Sequence, residues 1–141
     1  MADITIKITE DNSAEVLREL ESRKEAILEA WGQQGVSHVK EIITRESRVD
    51  TGAMRNSITH QVVDSEDAVY VGTNNEYAIY NEYGTGIYAE GGKGRKTPWR
   101  YVDDRGEGHW TVGMKPIHMI KNGIADNIDE FKRIAEKKLK G

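Results

Sequence analysis

Ser57 and His60 are the first residues whose types could do chemistry together. A hydroxyl and an imidazole three positions apart are the raw material of an activated nucleophile. A hydrolase also needs a group to orient the base and donors for the developing oxyanion. No third member is evident in the surrounding sequence. Asp50-Thr51-Gly52 matches the triplet of aspartic proteases. Those enzymes hold two carboxylates in one site, within a larger fold or a symmetric dimer. A turn before a strand is the better reading here. His38, His60, His109 and His118 form no i, i+4 pair, and the chain has no cysteine. The spacing therefore predicts neither a metal site nor a cofactor. Gly84-Thr85-Gly86-Ile87-Tyr88-Ala89 has the spacing of a dinucleotide loop. Such a loop follows a strand and opens a helix. Here a helical pattern precedes it and more glycine follows. Gly92-Lys93 lacks the other residues of a phosphate loop. The chain reads as no enzyme.

The remaining chemistry is that of binding. The stretch 74–116 holds eight of the 14 glycines, five of the six tyrosines, two of the three tryptophans and both prolines. Glycine loosens a chain, and large rigid side chains anchor it on a partner. We read residues 84–113 as a projecting arm. Its partner-binding residues are Tyr88, Lys93, Arg95, Lys96, Trp99, Tyr101 and Trp110, with both tryptophans and Tyr101 on one face of a hairpin. Basic residues among aromatics can also grip a nucleic-acid strand. A nucleic-acid-binding module using residues 93–101 is thus the alternative reading. The net charge of -4 opposes a whole-protein grip on nucleic acid.

The elements that position this arm follow from periodicity. With 141 residues there is room for one domain, residues 1–141. The apolar fraction is low at 37%, so the isolated core should be small, a deficit that oligomers commonly remedy. No signal peptide and no membrane span are expected. Ile4, Ile6 and Ile8 alternate with polar residues, as in a half-buried strand. Val16, Leu17, Leu20, Ile27, Leu28, Trp31, Val39, Ile42 and Ile43 predict one helix over 13–47, with Ser13 as N-cap. Gly32 and Gly35 in its interior mark a bend or a close contact. Residues 58–63 and 68–71 read as a hairpin around a four-residue polar turn. Residues 75–83 read as a short helix, with Tyr77, Ala78, Tyr80 and Tyr83 on one face and Gly84 as its stop. A second hairpin is expected around 104–108. A helix should run from Pro116 to Lys140. The expected fold class is α+β: a small antiparallel sheet packed against the long N-terminal helix and the C-terminal helix. Trp31, Ile42, Ile58, Val71, Ile120 and Ile124 are expected to be mostly buried, in the domain or in its subunit interface.

Three pieces in order carry a resemblance: residues 49–58 (VDTGAMRNSI), Tyr77-Ala78 with Glu82-Tyr83-Gly84-Thr85, and Gly113-Met114-Lys115-Pro116 opening a helix. They resemble the head–tail joining, or tail-completion, proteins of the neck of long-tailed bacteriophages and prophages. The sequence departs from that pattern at Met54, where leucine is expected, and in the longer loop 87–112. The resemblance implies a structural virion protein without catalysis, at the junction of head and tail. It implies a cyclic ring of identical chains, a hexamer, as homo-oligomer. The implied neighbours are a head connector or head-closure protein and a tail tube or tail terminator protein. Viral DNA would pass transiently through the ring, and no membrane is involved. The Asp-Thr-Gly and Glu-x-Gly-Thr segments would then be structural.

Overall fold

The computed structural model describes residues 7, 11–48, 52–103 and 105–140. Of the strand expected at residues 4–8 only Lys7 is among them, and the Asp50-Thr51 pair lies outside them. The chain is organised on helix α1, Ser13–Arg45. Its 33 residues make a rod of about 50 Å. Helix α1 begins at Ser13 rather than capping there with its hydroxyl: the Asp11 carboxylate accepts the Ser13 amide at 2.9 Å. Its buried stripe is Ile27, Leu28, Gly32, Gly35, Val39, Ile42 and Ile43. The two glycines serve close contact. A Cβ on Gly32 would run into the His60 ring, and one on Gly35 would press on Val71 and Ile124.

A short helix α2, Ala53–Ser57, follows, entered through Gly52 at φ 86°. Ser57 therefore ends a helix, and only His60 of the Ser57–His60 pair lies on a strand. Strands β1, Thr59–Val63, and β2, Ala68–Gly72, pair antiparallel with His60 opposite Val71 and Val62 opposite Val69. One 3-10 turn, Asp64–Glu66, closes the hairpin, with Asp67 in the left-handed region. Lys24 on α1 holds Asp67 at 2.7 Å, so the turn is fastened to the helix that the strands cover. Helix α3, Ala78–Tyr83, comes next. Its buried side is Ala78, Asn81 and Glu82, while Tyr77, Tyr80 and Tyr83 are exposed. The tyrosine face expected from periodicity is thus the outer face.

Strands β3, Trp99–Val102, and β4, Gly108–Thr111, form a second antiparallel pair. Among the described residues the β structure is two separate two-stranded sheets, not one. The C-terminal helix is also divided, into α4, Met119–Ala125, and α5, Ile128–Lys140. The Asn127 side chain donates to the Gly123 carbonyl at 2.9 Å, a local bond that competes with the helical ladder. Asp129 and Glu130 then sit in the first turn of α5, at the positive end of its dipole. The class is α+β, as the sequence implied.

The core gathers Val39, Ile42, Ile43, Met54, Ile58, Ala78 and Met119. Burying each large apolar side chain is worth roughly 1.5–3 kcal/mol. Ile42 and Ile58 are buried as expected, whereas Trp31, Val71, Ile120 and Ile124 are half-buried. Met119, fully buried, takes the place expected of Ile120. Helix α5 packs on α1 through Phe131, whose ring meets Trp31 edge-on at 6.4 Å. The Trp31 indole N–H donates to the Phe131 carbonyl at 2.8 Å.

Candidate interaction surface

The arm grows from a joint built by buried polar groups. Glu82, 6% exposed, reaches from α3 to the start of α4. Its carboxylate accepts the amides of Ile120 at 2.8 Å and Lys121 at 3.0 Å. These are two of the amides that a helix start leaves without internal partners. Asn81 beside it accepts from the Arg48 guanidinium at 3.2 Å, and its amide donates to the Met54 sulfur and the Tyr77 carbonyl. Arg48 also donates to the Lys115 carbonyl at 2.8 Å, and the Ile117 amide donates to the Asn81 carbonyl. The joint therefore ties the end of α1, helix α2, helix α3 and the segment before α4. Asn81 and Glu82 were not singled out as functional from the sequence. The signal was there, since two polar residues on the apolar side of a helix demand partners.

Directly after the joint, the two limbs of the arm pair at their root. The Thr85 amide donates to the Met114 carbonyl at 2.9 Å, and the Met114 amide donates to the Thr85 hydroxyl at 2.9 Å. The Ile87 amide donates to the Val112 carbonyl at 3.0 Å. Gly86 lies so close to the Val112 carbonyl that no Cβ fits, at φ 62°. Beyond the root, two 3-10 turns at Gly86–Tyr88 and Glu90–Gly92 give the glycine-rich stretch a defined course. Glu90 meets His118 at 3.0 Å, and Lys115 lies 5.7 Å over the Tyr88 ring.

The expected partner-binding residues divide between two faces of the β3–β4 hairpin. Trp99 and Tyr101 are opposite Thr111 and His109, and Tyr101 stacks on His109 at 5.3 Å. Arg95 lies 5.6 Å over the Trp99 ring and donates to the Thr97 hydroxyl. Trp110 is opposite Arg100, on the other face, and is 72% exposed. The single aromatic face expected from the sequence is thus split, because Trp110 pairs out of step with Trp99 and Tyr101. Tyr88, Lys93 and Lys96 are exposed along the turns that lead in. Four basic residues and three aromatics are not gathered into one groove. The outer face of α3 adds Tyr77, Ile79, Tyr80 and Tyr83 to the exposed apolar surface, and Ile87 continues it.

The histidines make ties between elements or across a turn. His38 meets Glu130 at 2.8 Å and His60 meets Glu29 at 2.8 Å, each joining α1 to a neighbouring element. The bond from His60 holds the Glu29 carboxyl below its usual range. Ser57 instead bonds the Met54 carbonyl and the Thr73 hydroxyl, so the pair read as nucleophile and base is separately engaged. Asp103, Glu107 and His109 bring one ligand atom each within 4.8 Å of one another. Asp103 already accepts from His109 at 2.7 Å and from the amides of Arg105 and Glu107 at 2.9 Å. The cluster organises the hairpin turn. No helix among the described residues is long and apolar enough to cross a membrane.

Comparison with known families adds one finding. The model of the family described as "Bacteriophage HK97-gp10, putative tail-component" matches residues 7–84, more than half of the chain. No curated protein and no solved structure matches. The matched stretch contains α1, α2, the β1–β2 hairpin and α3, and ends at the root of the arm.

Proposed function

The chain belongs to the HK97-gp10-like family of bacteriophage tail components, and from that premise we propose that it is a neck protein joining head to tail. In this reading identical chains form a closed ring between a head connector and the tail. The family match over 7–84 is the observation that carries it. The geometry supports the same reading. Glu82, Gly84 and Thr85, which carried the resemblance, hold the joint together with Asn81. The exposed aromatics are left for neighbours: Trp110, Tyr101 and Tyr88 on the arm, and Tyr77, Tyr80 and Tyr83 on α3. Aromatic anchors commonly dominate the energy of protein interfaces. Lys93, Arg95 and Lys96 orient the arm on an acidic partner surface and add mainly to encounter rate and specificity. Arg95 lies over Trp99 while Arg100 stands on the opposite face of the hairpin beside Trp110, so no observation favours the nucleic-acid reading.

The test removes residues 90–96. These carry the Glu90–His118 contact and the basic turn but none of the root hydrogen bonds. The expected outcome is a folded protein that fails to join heads to tails, counted as joined virions against free heads and free tails. Normal joining would overturn the role given to the arm. One copy per particle, by mass measurement, would overturn the ring.

A further inference from the structure

Helix α1 is longer than the body that it supports. Residues 11–22 are exposed throughout. They amount to an overhang of about 15 Å in α1 itself. Yet the overhang continues the buried stripe. Val16, Leu17 and Leu20 precede Ile27, Leu28 and Trp31 at the same spacing, and they are 45%, 62% and 50% exposed. An apolar stripe that outlasts its partners among the described residues is a surface for another one. The overhang is also acidic, with Asp11, Glu15, Glu19 and Glu21 against Arg18 alone.

A receiving surface lies on the same chain. Between α1 and α5 runs a groove of about 500 Å³. Ala26, Ala30 and Ile134 give it an apolar lining, and Arg23, Lys137 and Lys138 line it with positive charge. Among the described residues no carboxylate lines it. Arg23 is partly occupied, donating to the Lys138 and Leu139 carbonyls and to its neighbour Glu19. Lys137 and Lys138 belong to the basic last turns of α5. An acidic apolar helix is thus matched in both respects by an apolar groove with basic walls.

We infer that the α1 overhang of one copy docks in the α1–α5 groove of the next. Leu17 and Leu20 lie on Ala26, Ala30 and Ile134, and Glu15 and Glu19 face Lys137 and Lys138. The overhang and the groove are different surfaces of the same chain, so the contact is heterologous. Contacts of that kind close into rings when the rotation allows. The inference rests on the ring proposed above and names the surface that makes it.

The absence of cysteine supplies a clean experiment. Leu17→Cys and Ala26→Cys both fall at exposed positions. Particles are assembled with the double variant as the only source of the protein, then treated with a short bis-maleimide. The expected result is a ladder of cross-linked copies, absent with either single variant. Adding Lys137→Glu and Lys138→Glu should abolish the ladder while the melting temperature of the purified chain stays the same. Several copies per particle with cross-links only between Leu17→Cys positions, or with none, would overturn this contact and leave the ring standing. Cross-linking of Ala26→Cys to a different virion protein would overturn it equally. One copy per particle would overturn both.

Discussion

Replacing Glu82 tests whether the joint is what holds the two halves of the protein together. The carboxylate accepts two backbone amides at the start of α4 and is almost wholly buried. Hydrogen bonds to charged groups contribute roughly 1.5–3 kcal/mol each. Glu82→Ala removes both and leaves two amides without partners. It also relieves the cost of burying a charge, which offsets part of the loss. We expect a net loss of about 3 kcal/mol. For a chain of this size that lowers the melting temperature by roughly 6–12 °C. Glu82→Gln keeps one carbonyl acceptor and should lose about half as much. Glu76→Ala, at an exposed position of the same segment, is the control and should fall within about 0.5 kcal/mol of the parent. Thermal melts of the full chain, followed by circular dichroism, give the answer. If Glu82→Ala melts with Glu76→Ala, the amides find other partners and the reasoning fails.

Gly32→Ala should destabilise by roughly 1–3 kcal/mol although alanine favours helices, because its methyl group displaces His60 from Glu29; urea melts will show the sign. Met119→Ala should cost roughly 2–5 kcal/mol in the same assay, as the side chain is fully buried in the core. The Asp103 carboxyl is held below its usual range, first by the bond from His109 and then by the Glu107 amide. A lowered folded value means that this contribution is intact above pH ~4 and is lost as pH falls through the lower value. The Glu107 amide resonance should therefore move only below that point, and a transition centred at or above it would refute the assignment.

Much of the fold was legible because periodicity reports burial directly. The α1 stripe from Ile27 to Ile43 and the β1–β2 hairpin fall where the pattern placed them. The errors share a cause, which is that short elements carry too few residues for a period to decide. In α3, of six residues, the pattern grouped Ala78 with Tyr77, Tyr80 and Tyr83, yet Ala78 touches the core while the tyrosines are exposed. The break before α5 carries a side-chain bond from Asn127 to the Gly123 carbonyl, invisible to a pattern of apolar residues. Trp110 was placed beside Trp99 because register across a hairpin depends on its turn. Here Asp103 draws in the amides of Arg105 and Glu107 and sets Trp110 against Arg100.

The residues that carried the resemblance can be given physical reasons one by one. Ala78 must be small because it sits in the core cluster. Glu82 must be a carboxylate because it serves the start of another helix. Gly84 has φ 78°, and a Cβ there would press on the Tyr88 and Met114 carbonyls and on the Pro116 ring. Thr85 uses its hydroxyl to hold Met114. The segment before α4 answers Gly84 and Thr85 through the backbone of Met114 and the ring of Pro116, and α4 itself answers Glu82 through the amides of Ile120 and Lys121. Two stretches separated by some thirty residues thus form one joint, which explains why the pieces are recognisable together and only weakly apart. The hydrogen bonds of the root are made by residues 85, 87, 112 and 114, at the two ends of the intervening loop. The loop 87–112 can then differ in length and sequence while its root stays fixed, and a surface free to vary on a fixed root is suited to meeting a partner that varies as well.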